Sequence, residues 1–152
     1  MRLFEIVKDE FRQYPNEVIK LPERGTINSA GYDFYCPMDI KLEPNQKVKI
    51  FTDIKAKMFD YEVLFLIIRS SIGIKKELTL INGTGIIDSD YYSNETNDGN
   101  IIFAIRNDSD SIVEIQKGDR IMQGIFLNYL ITSNESEKIL LKKRNGGLGS
   151  TN

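Results

Sequence analysis

The run Glu62-Val63-Leu64-Phe65-Leu66-Ile67-Ile68 is the strongest indication of the fold, because its last six residues form the longest apolar stretch in the chain. A stretch of this length is far too short to span a membrane as a helix. It is typical of a strand that is buried on both faces of a sheet. The runs Ile101–Ile105 and Ile121–Leu127 have the same character and predict two further buried strands.

Shorter segments on both sides of these runs extend the strand pattern. Apolar and polar residues alternate in Ala30–Tyr35, Lys47–Phe51 and Ser111–Gln116, and Leu3–Val7 reads as a first edge strand. Turns that contain Gly or Pro separate these segments, and no segment keeps a helical period for long. The sequence therefore predicts an all-β fold of the sandwich, barrel or jelly-roll type.

The composition fits one globular domain followed by a short tail. The chain has 152 residues, of which 41% are hydrophobic and 28% are charged, so it is long enough to bury a core. We expect residues 1–141 to form a single β domain. Residues 142–152 are basic, then Gly-rich, then hydroxyl-rich, and they carry too little apolar surface to pack. They are predicted to form a flexible C-terminal lid segment.

The N-terminus and the cysteine content point to the cytoplasm. The first residues contain no apolar signal-peptide core, and the single cysteine, Cys36, has no partner for an internal disulfide. We therefore expect a cytoplasmic protein without a membrane segment. Cys36 is predicted to fill space in the core.

Charge and residue content exclude several classes of function. The chain contains no histidine, so Ser-His and Cys-His nucleophiles and histidine-based metal cages are excluded, and carboxylates, Lys or Tyr must do any acid–base chemistry. The net charge of −2 argues against binding along duplex nucleic acid, which needs a basic footprint. A local basic pocket for a small anion stays open.

The stretch Gly83–Tyr91 has the composition of a binding turn. Gly83 and Gly85 permit backbone to lie close to a ligand, and Ile86-Ile87 anchors the segment in a core. Asp88-Ser89-Asp90 forms a tight polar turn that presents carboxylates. An ordinary hairpin, in which Asp and Ser only cap the turn, is the alternative.

Two other segments suit phosphate groups. Arg69-Ser70-Ser71 follows the long apolar run and offers a fork of donors and two hydroxyls, with Lys75 and Lys76 close by. In the tail, Arg144 precedes three glycines and two hydroxyl residues, which supply backbone amides for an anion. Each segment alone is common. The established P-loop and dinucleotide-binding motifs do not fit the chain.

Taken in order, five motifs resemble the trimeric dUTPase family (dUTP diphosphatase). They are Ala30–Phe34, Arg69–Gly73, Asn82–Tyr91, Lys117–Gln123 and Arg144–Thr151. The resemblance covers the chain from residue 30 onward. It implies a jelly-roll subunit in a homotrimer, with active sites where the subunits meet, and hydrolysis of dUTP to dUMP and pyrophosphate.

The resemblance also implies residue roles. Asp88 would activate the water that attacks the α-phosphorus, and Asp33 would hold, through water, a Mg²⁺ ion bound to the triphosphate. The implied substrate-binding residues are Arg69, Ser70, Ser71, Asn82, Gly85, Ile86, Ile87, Tyr91, Gln123, Arg144, Gly149, Ser150 and Thr151. Tyr91 would lie against the deoxyribose. The alternatives without a functional role are a core tyrosine for Tyr91, a solvated carboxylate for Asp33 and the polar face of a strand for Gln123. Arg120 is expected to hold the subunit together rather than to bind substrate.

Three departures from the family pattern concern the lid and one loop. Leu148 stands where most members have an aromatic residue that stacks on uracil. The spacing from Arg144 to Leu148 is one residue short, so that Lys143 could share or replace the γ-phosphate contact of Arg144. The loop Tyr92–Asn100 is longer than usual, and in this the chain is similar to phage-related members from Gram-positive bacteria.

Two other functions remain as alternatives. One is a dCTP deaminase-like nucleotide enzyme, although Asp88–Tyr91 matches the dUTPase pattern better. The other is a non-catalytic jelly-roll protein that binds a nucleotide for regulation.

Overall fold

The computed structural model describes residues 1–134. Within them the chain forms twelve β-strands, a single α-helical turn and two short 3₁₀-helices. The strands are β1 (Leu3–Ile6), β2 (Glu23–Arg24), β3 (Tyr32–Tyr35), β4 (Ile40–Leu42), β5 (Lys47–Phe51), β6 (Ile54–Lys57), β7 (Glu62–Ile68), β8 (Leu78–Leu80), β9 (Gly85–Asp88), β10 (Ile102–Asn107), β11 (Val113–Ile115) and β12 (Arg120–Asn128). The helical turn α1 is Ser70–Gly73, and the 3₁₀-helices are Asp9–Phe11 and Ser89–Tyr91.

The strands form four antiparallel sheets. The largest has the order β2-β3-β12-β7-β9, and a three-stranded sheet has the order β5-β10-β8. Two two-stranded sheets, β1-β6 and β11-β4, complete the layers. The predicted all-β class is confirmed. No helix in the described part of the chain is long and apolar enough to cross a membrane.

One continuous hydrophobic core lies between the sheets. Phe34, Leu64, Leu66, Ile121 and Met122 bring the five-stranded sheet into this core, and each is almost completely buried. Cys36 is also buried there, as the sequence predicts, and burial raises the pKa of its thiol to about 11. The thiol is therefore a neutral core group at physiological pH.

The outer face of the five-stranded sheet is only partly covered in this chain, and the same holds for one face of β10 in the three-stranded sheet. The prediction that the long apolar runs are buried on both faces is therefore wrong for the isolated chain. In β10 fully buried and half-buried residues alternate, and in β7 Phe65 and Ile67 are only half-buried. An antiparallel sheet needs only one covered face, so an apolar run does not by itself require two.

The turn at Gly83 joins two different sheets. β8 pairs with β10, whereas β9 pairs with β7. The two strands that flank the turn are therefore not paired with each other, so the ordinary hairpin named as the alternative does not form here. Gly83 has a φ of +73°, a left-handed conformation that favours glycine.

Candidate active site

The first cluster of candidate residues lies where β7 ends. Arg69 follows this strand directly, and its backbone N–H donates to the carbonyl of Ile121 on β12 (3.1 Å). Its own carbonyl accepts from the amides of Ile72 and Gly73, which closes the helical turn α1. Ser70 is exposed at the start of this turn, and Ser71 is half-buried. The turn thus fixes two hydroxyls beside a guanidinium.

Asp33 sits at the centre of this cluster. It is 6% exposed, and its carboxylate pairs with Arg69 Nε (2.9 Å) and with Arg120 Nη1 (3.1 Å). Two cations on one buried carboxylate leave a net positive charge at this end of the sheet. Such a site suits an anion with several oxygens.

Arg120 is also part of this cluster, although its position in the sequence does not indicate this. Its side chain is about half exposed and pairs with Asp33 of the same chain, so it lies beside Arg69 through their shared carboxylate. The pairing of β12 with β3 is irregular between Arg120 and Met122, which lets Ile121 and Met122 both enter the core. Strict alternation does not predict such a bulge.

Gln123 completes the cluster from β12. It pairs with Asp33 on one side and with Ile67 on the other. Its side chain packs over Gly31, where an added Cβ would meet Gln123 Oε1 at 2.5 Å and its Cβ at 3.2 Å. Gly31 therefore leaves the space that the glutamine amide occupies.

Replacing Gly31 with alanine is expected to displace the amide of Gln123. Because the amide is the far end of a flexible side chain, we expect the free energy of unfolding to fall by less than about 1 kcal/mol. KM for an anionic substrate should rise about 3- to 10-fold. Thermal unfolding and steady-state kinetics measure the two effects. The control, Gly118→Ala, tests a glycine whose added Cβ meets nothing within 4 Å. Because Gly118 has a positive φ, alanine at this position strains the backbone and controls for lost stability, whereas KM should stay unchanged. Equal KM values for the Gly31 variant and the wild type would contradict the assignment of Gln123 to the anion-binding cluster.

The second group of candidate residues lies on β9 and in the turn before it. Asn82 and Ile86 are exposed, and Asp88 is half-buried at the end of the strand. Ile87 packs against the core, which turns its neighbours Ile86 and Asp88 to the open outer face. Gly85 has a packing reason of its own, because an added Cβ would meet Leu66 Cβ at 3.0 Å.

Tyr91 ends the 3₁₀-helix that follows Asp88. It is 7% exposed, and its hydroxyl donates to the carbonyl of Asn100 (2.8 Å) and accepts from Asn97 Nδ2 (2.6 Å). The hydroxyl is therefore engaged within the chain. The sequence alone does not indicate these asparagine partners, because they lie in what reads as a plain polar loop.

The two groups lie far apart within this chain. Asp88 is opposite Val63 near the beginning of β7, whereas Gln123 is opposite Ile67 and Arg69 follows the end of that strand. At about 3.3 Å per residue, the path along β7 from Val63 to Arg69 is about 20 Å. The structure thus brings together Asp33, Arg69 and Gln123, but it does not bring Asp88 to them.

The remaining candidates lie outside the described residues. Arg144, Gly149, Ser150 and Thr151, together with Lys143, Leu148 and the predicted lid segment 142–152, fall in residues 135–152. Their roles stay predictions. In residues 1–134, no group of three or more acidic, cysteine or histidine side chains is gathered that could hold a metal ion.

The fold and these residues define a class: an all-β protein without histidine that presents arginines for phosphate oxygens and, separately, a carboxylate beside a glycine turn. Comparison with known proteins narrows the class. A family model described as dUTPase matches residues 17–152. The deoxyuridine 5'-triphosphate nucleotidohydrolase of Lactococcus lactis subsp. lactis is 40% identical over 151 residues, covering 99% of this chain and 97% of that protein. The chain belongs to the dUTPase family.

Solved structures agree with this assignment. The dUTPase from Streptococcus mutans matches with a TM-score of 0.74 and 36% identity, covering 86% of this chain and 98% of that one. A mutant dUTPase from phage phi11 of S. aureus, described with a structural Mg(II) ion, matches with a TM-score of 0.67, covering 88% of this chain and 94% of that one. At 21% identity the phage protein shows the likeness of the fold alone. The family predicted from the five motifs is confirmed.

Proposed function

We propose that this protein hydrolyses dUTP to dUMP and pyrophosphate. The observation that carries the proposal is the family match over residues 17–152, which includes both groups of site residues. A carboxylate base and fixed cations are the chemistry available to a chain without histidine. We place the enzyme in the cytoplasm, where a free thiol such as Cys36 stays reduced.

The active site forms between subunits of a homotrimer. A base that activates water and the cations that hold the same phosphorus must lie within a few ångströms of each other. Within one subunit Asp88 and Arg69 are about 20 Å apart along β7, so they act on one phosphorus only if they come from different copies. The open outer face of the five-stranded sheet supports this assembly. Between the two groups it carries the apolar side chains Phe65, Ile67, Ile86, Ile125 and Leu127.

In the reaction, Asp88 accepts a proton from a water molecule as the water oxygen attacks the α-phosphorus. The bond from this phosphorus to the bridging oxygen breaks, and pyrophosphate leaves with the electron pair. Arg69, Ser70, Ser71 and Gln123 of another subunit bind the α- and β-phosphates, and the guanidinium offsets the charge that develops on the phosphate oxygens. Asp33 keeps Arg69 in place through their ion pair.

Mg²⁺ fits this site as a cation that arrives on the triphosphate. Asp33 is nearly buried, and both of its oxygens already accept from guanidinium groups. Asp33 would therefore contact the ion through a water molecule rather than directly. Such outer contacts suit Mg²⁺, which gives up its water reluctantly. When bound, the ion would screen the charge of the phosphates.

The base and the sugar are bound at the turn between β8 and β9. Asn82 and the backbone of Gly85, Ile86 and Ile87 present donors and acceptors to uracil. Tyr91 sets its ring against the deoxyribose. In the tail, Arg144, Gly149, Ser150 and Thr151 close over the γ-phosphate, with Lys143 as the alternative cation.

Deleting residues 144–152 is expected to abolish most of the activity. Because little apolar area is removed, the free energy of unfolding should change by no more than about 1 kcal/mol. Chemical denaturation and pyrophosphate release measure the two effects. If the shortened chain fails to fold, the tail is a structural element rather than a lid.

The function is tested by a nucleotide panel. The purified protein is incubated with Mg²⁺ and dUTP, UTP, dCTP or dTTP, and pyrophosphate and deaminated product are measured. Pyrophosphate from dUTP alone is the expected result. Ammonia release from dCTP would favour the deaminase, and tight nucleotide binding without turnover would favour the regulatory protein.

A further inference from the structure

Two buried polar side chains, Asp98 and Asn100, fasten the loop Tyr92–Asn100 to the body of the chain. Asp98 is 1% exposed, and its carboxylate accepts from Lys55 Nζ on β6 (2.7 Å) and from the backbone N–H of Lys8 (2.9 Å). Burial opposes its ionisation, but the hydrogen bond from Lys55 holds the pKa of Asp98 below its usual value. The side chain of Asn100 makes two hydrogen bonds with Asp53, both of 3.0 Å. The loop is therefore anchored at its second half.

Asparagines also hold the loop together internally. Asn94 Nδ2 donates to Asn97 Oδ1 (2.7 Å), and the amide of Gly99 donates to the same oxygen (3.1 Å). Gly99 has a φ of +83°, and an added Cβ there would lie 2.8 Å from the carbonyl oxygen of Tyr91. The loop backbone at Gly99 thus lies so close to the Tyr91 backbone that only a glycine fits there.

The same loop binds Tyr91 at both ends of the residue. Asn94 Nδ2 donates to its carbonyl oxygen (2.8 Å). The hydroxyl accepts from Asn97 Nδ2 (2.6 Å) and donates to the carbonyl of Asn100 (2.8 Å). Asn97 Nδ2 reaches that carbonyl as well (3.1 Å), so the hydroxyl, the amide and the carbonyl form a closed triangle. Asn97 donates to the hydroxyl at the far end of the ring, so its side chain holds that end of the ring in place.

We propose that Asn97 is a positioning residue for sugar selection, which rests on the proposed function: through the Tyr91 hydroxyl it holds the ring where a ribose 2′-hydroxyl is excluded. A ring that can shift makes room for the extra hydroxyl. Loss of one such hydrogen bond corresponds to a change of about 3- to 10-fold. The effect falls on discrimination between sugars rather than on proton transfer at Asp88.

The test is a double-mutant cycle read as a ratio of specificities. kcat/KM for dUTP and for UTP is measured in the wild type, Asn97→Ala, Tyr91→Phe and the double variant. Each single variant should lower the dUTP to UTP ratio about 3- to 10-fold, and the double variant should match the single ones within about twofold. Tyr91→Phe removes the same hydrogen bond from the side of the ring. It serves in place of Asn97→Ala if that variant does not fold.

Ser93→Ala is the matched control in the same loop. Its hydroxyl accepts from Lys55, outside the triangle that holds the Tyr91 hydroxyl, so the ratio should stay at the wild-type value. An unchanged ratio in the Asn97 variants, or effects that multiply in the double variant, would overturn the positioning role. A wild type that hydrolyses no dUTP would instead overturn the proposed function, so the two failures are distinguishable.

Discussion

Replacing Asp88 with asparagine is expected to lower kcat for dUTP by about 10²- to 10⁴-fold, which is the usual contribution of a positioned general base. The variant has nearly the same shape but cannot accept the proton of the attacking water. Because Asp88 acts on the water rather than on the nucleotide, the Kd for a non-hydrolysable dUTP analogue should change by less than about threefold. Single-turnover kinetics and calorimetric titration measure the two quantities.

The matched control is Asp110→Asn, which removes an exposed carboxylate from the segment between β10 and β11. It should retain the wild-type kcat. A kcat near the wild-type value in Asp88→Asn would show that another group activates the water. Loss of nucleotide binding in that variant would show that Asp88 holds substrate rather than the water.

Two inactive variants are expected to restore activity when they assemble together. Arg69→Gln removes a cation from one part of the site, and Asp88→Asn removes the base from the other. If each site takes these residues from different subunits, a mixed trimer contains sites in which both are intact. Every mixed trimer, whether 2:1 or 1:2, has one site of three in which both donors are intact, so about a third of the wild-type activity should return.

Co-expression of differently tagged copies, followed by purification on both tags, provides the mixed assemblies. A mixture of Asp88→Asn with the double variant Asp88→Asn/Arg69→Gln is the control and should stay inactive. If the mixture of the two single variants is also inactive although mixed trimers form, both residues come from the same subunit. That result would contradict the shared site.

Much of the fold could be predicted from local patterns in the sequence. The alternation in Lys47–Phe51 predicted β5 with its observed ends, and the run Glu62–Ile68 predicted β7. Where prediction failed, the cause is not local. The bulge at Arg120 and the separate pairing of β8 and β9 depend on which strands become neighbours, and a segment's own residues do not specify its neighbour.

The all-β class, the family and the types of residue that carry the chemistry could be predicted from the sequence, because periodicity and short motifs are local properties of the chain. Only the tertiary structure decided how these residues are grouped. It placed Asp33 between two arginines, bound the Tyr91 hydroxyl to Asn97, and separated Asp88 from Arg69 along β7. The physical reason is that antiparallel pairing sets the register between residues far apart in sequence, and register fixes both the face and the end of a sheet at which each side chain stands.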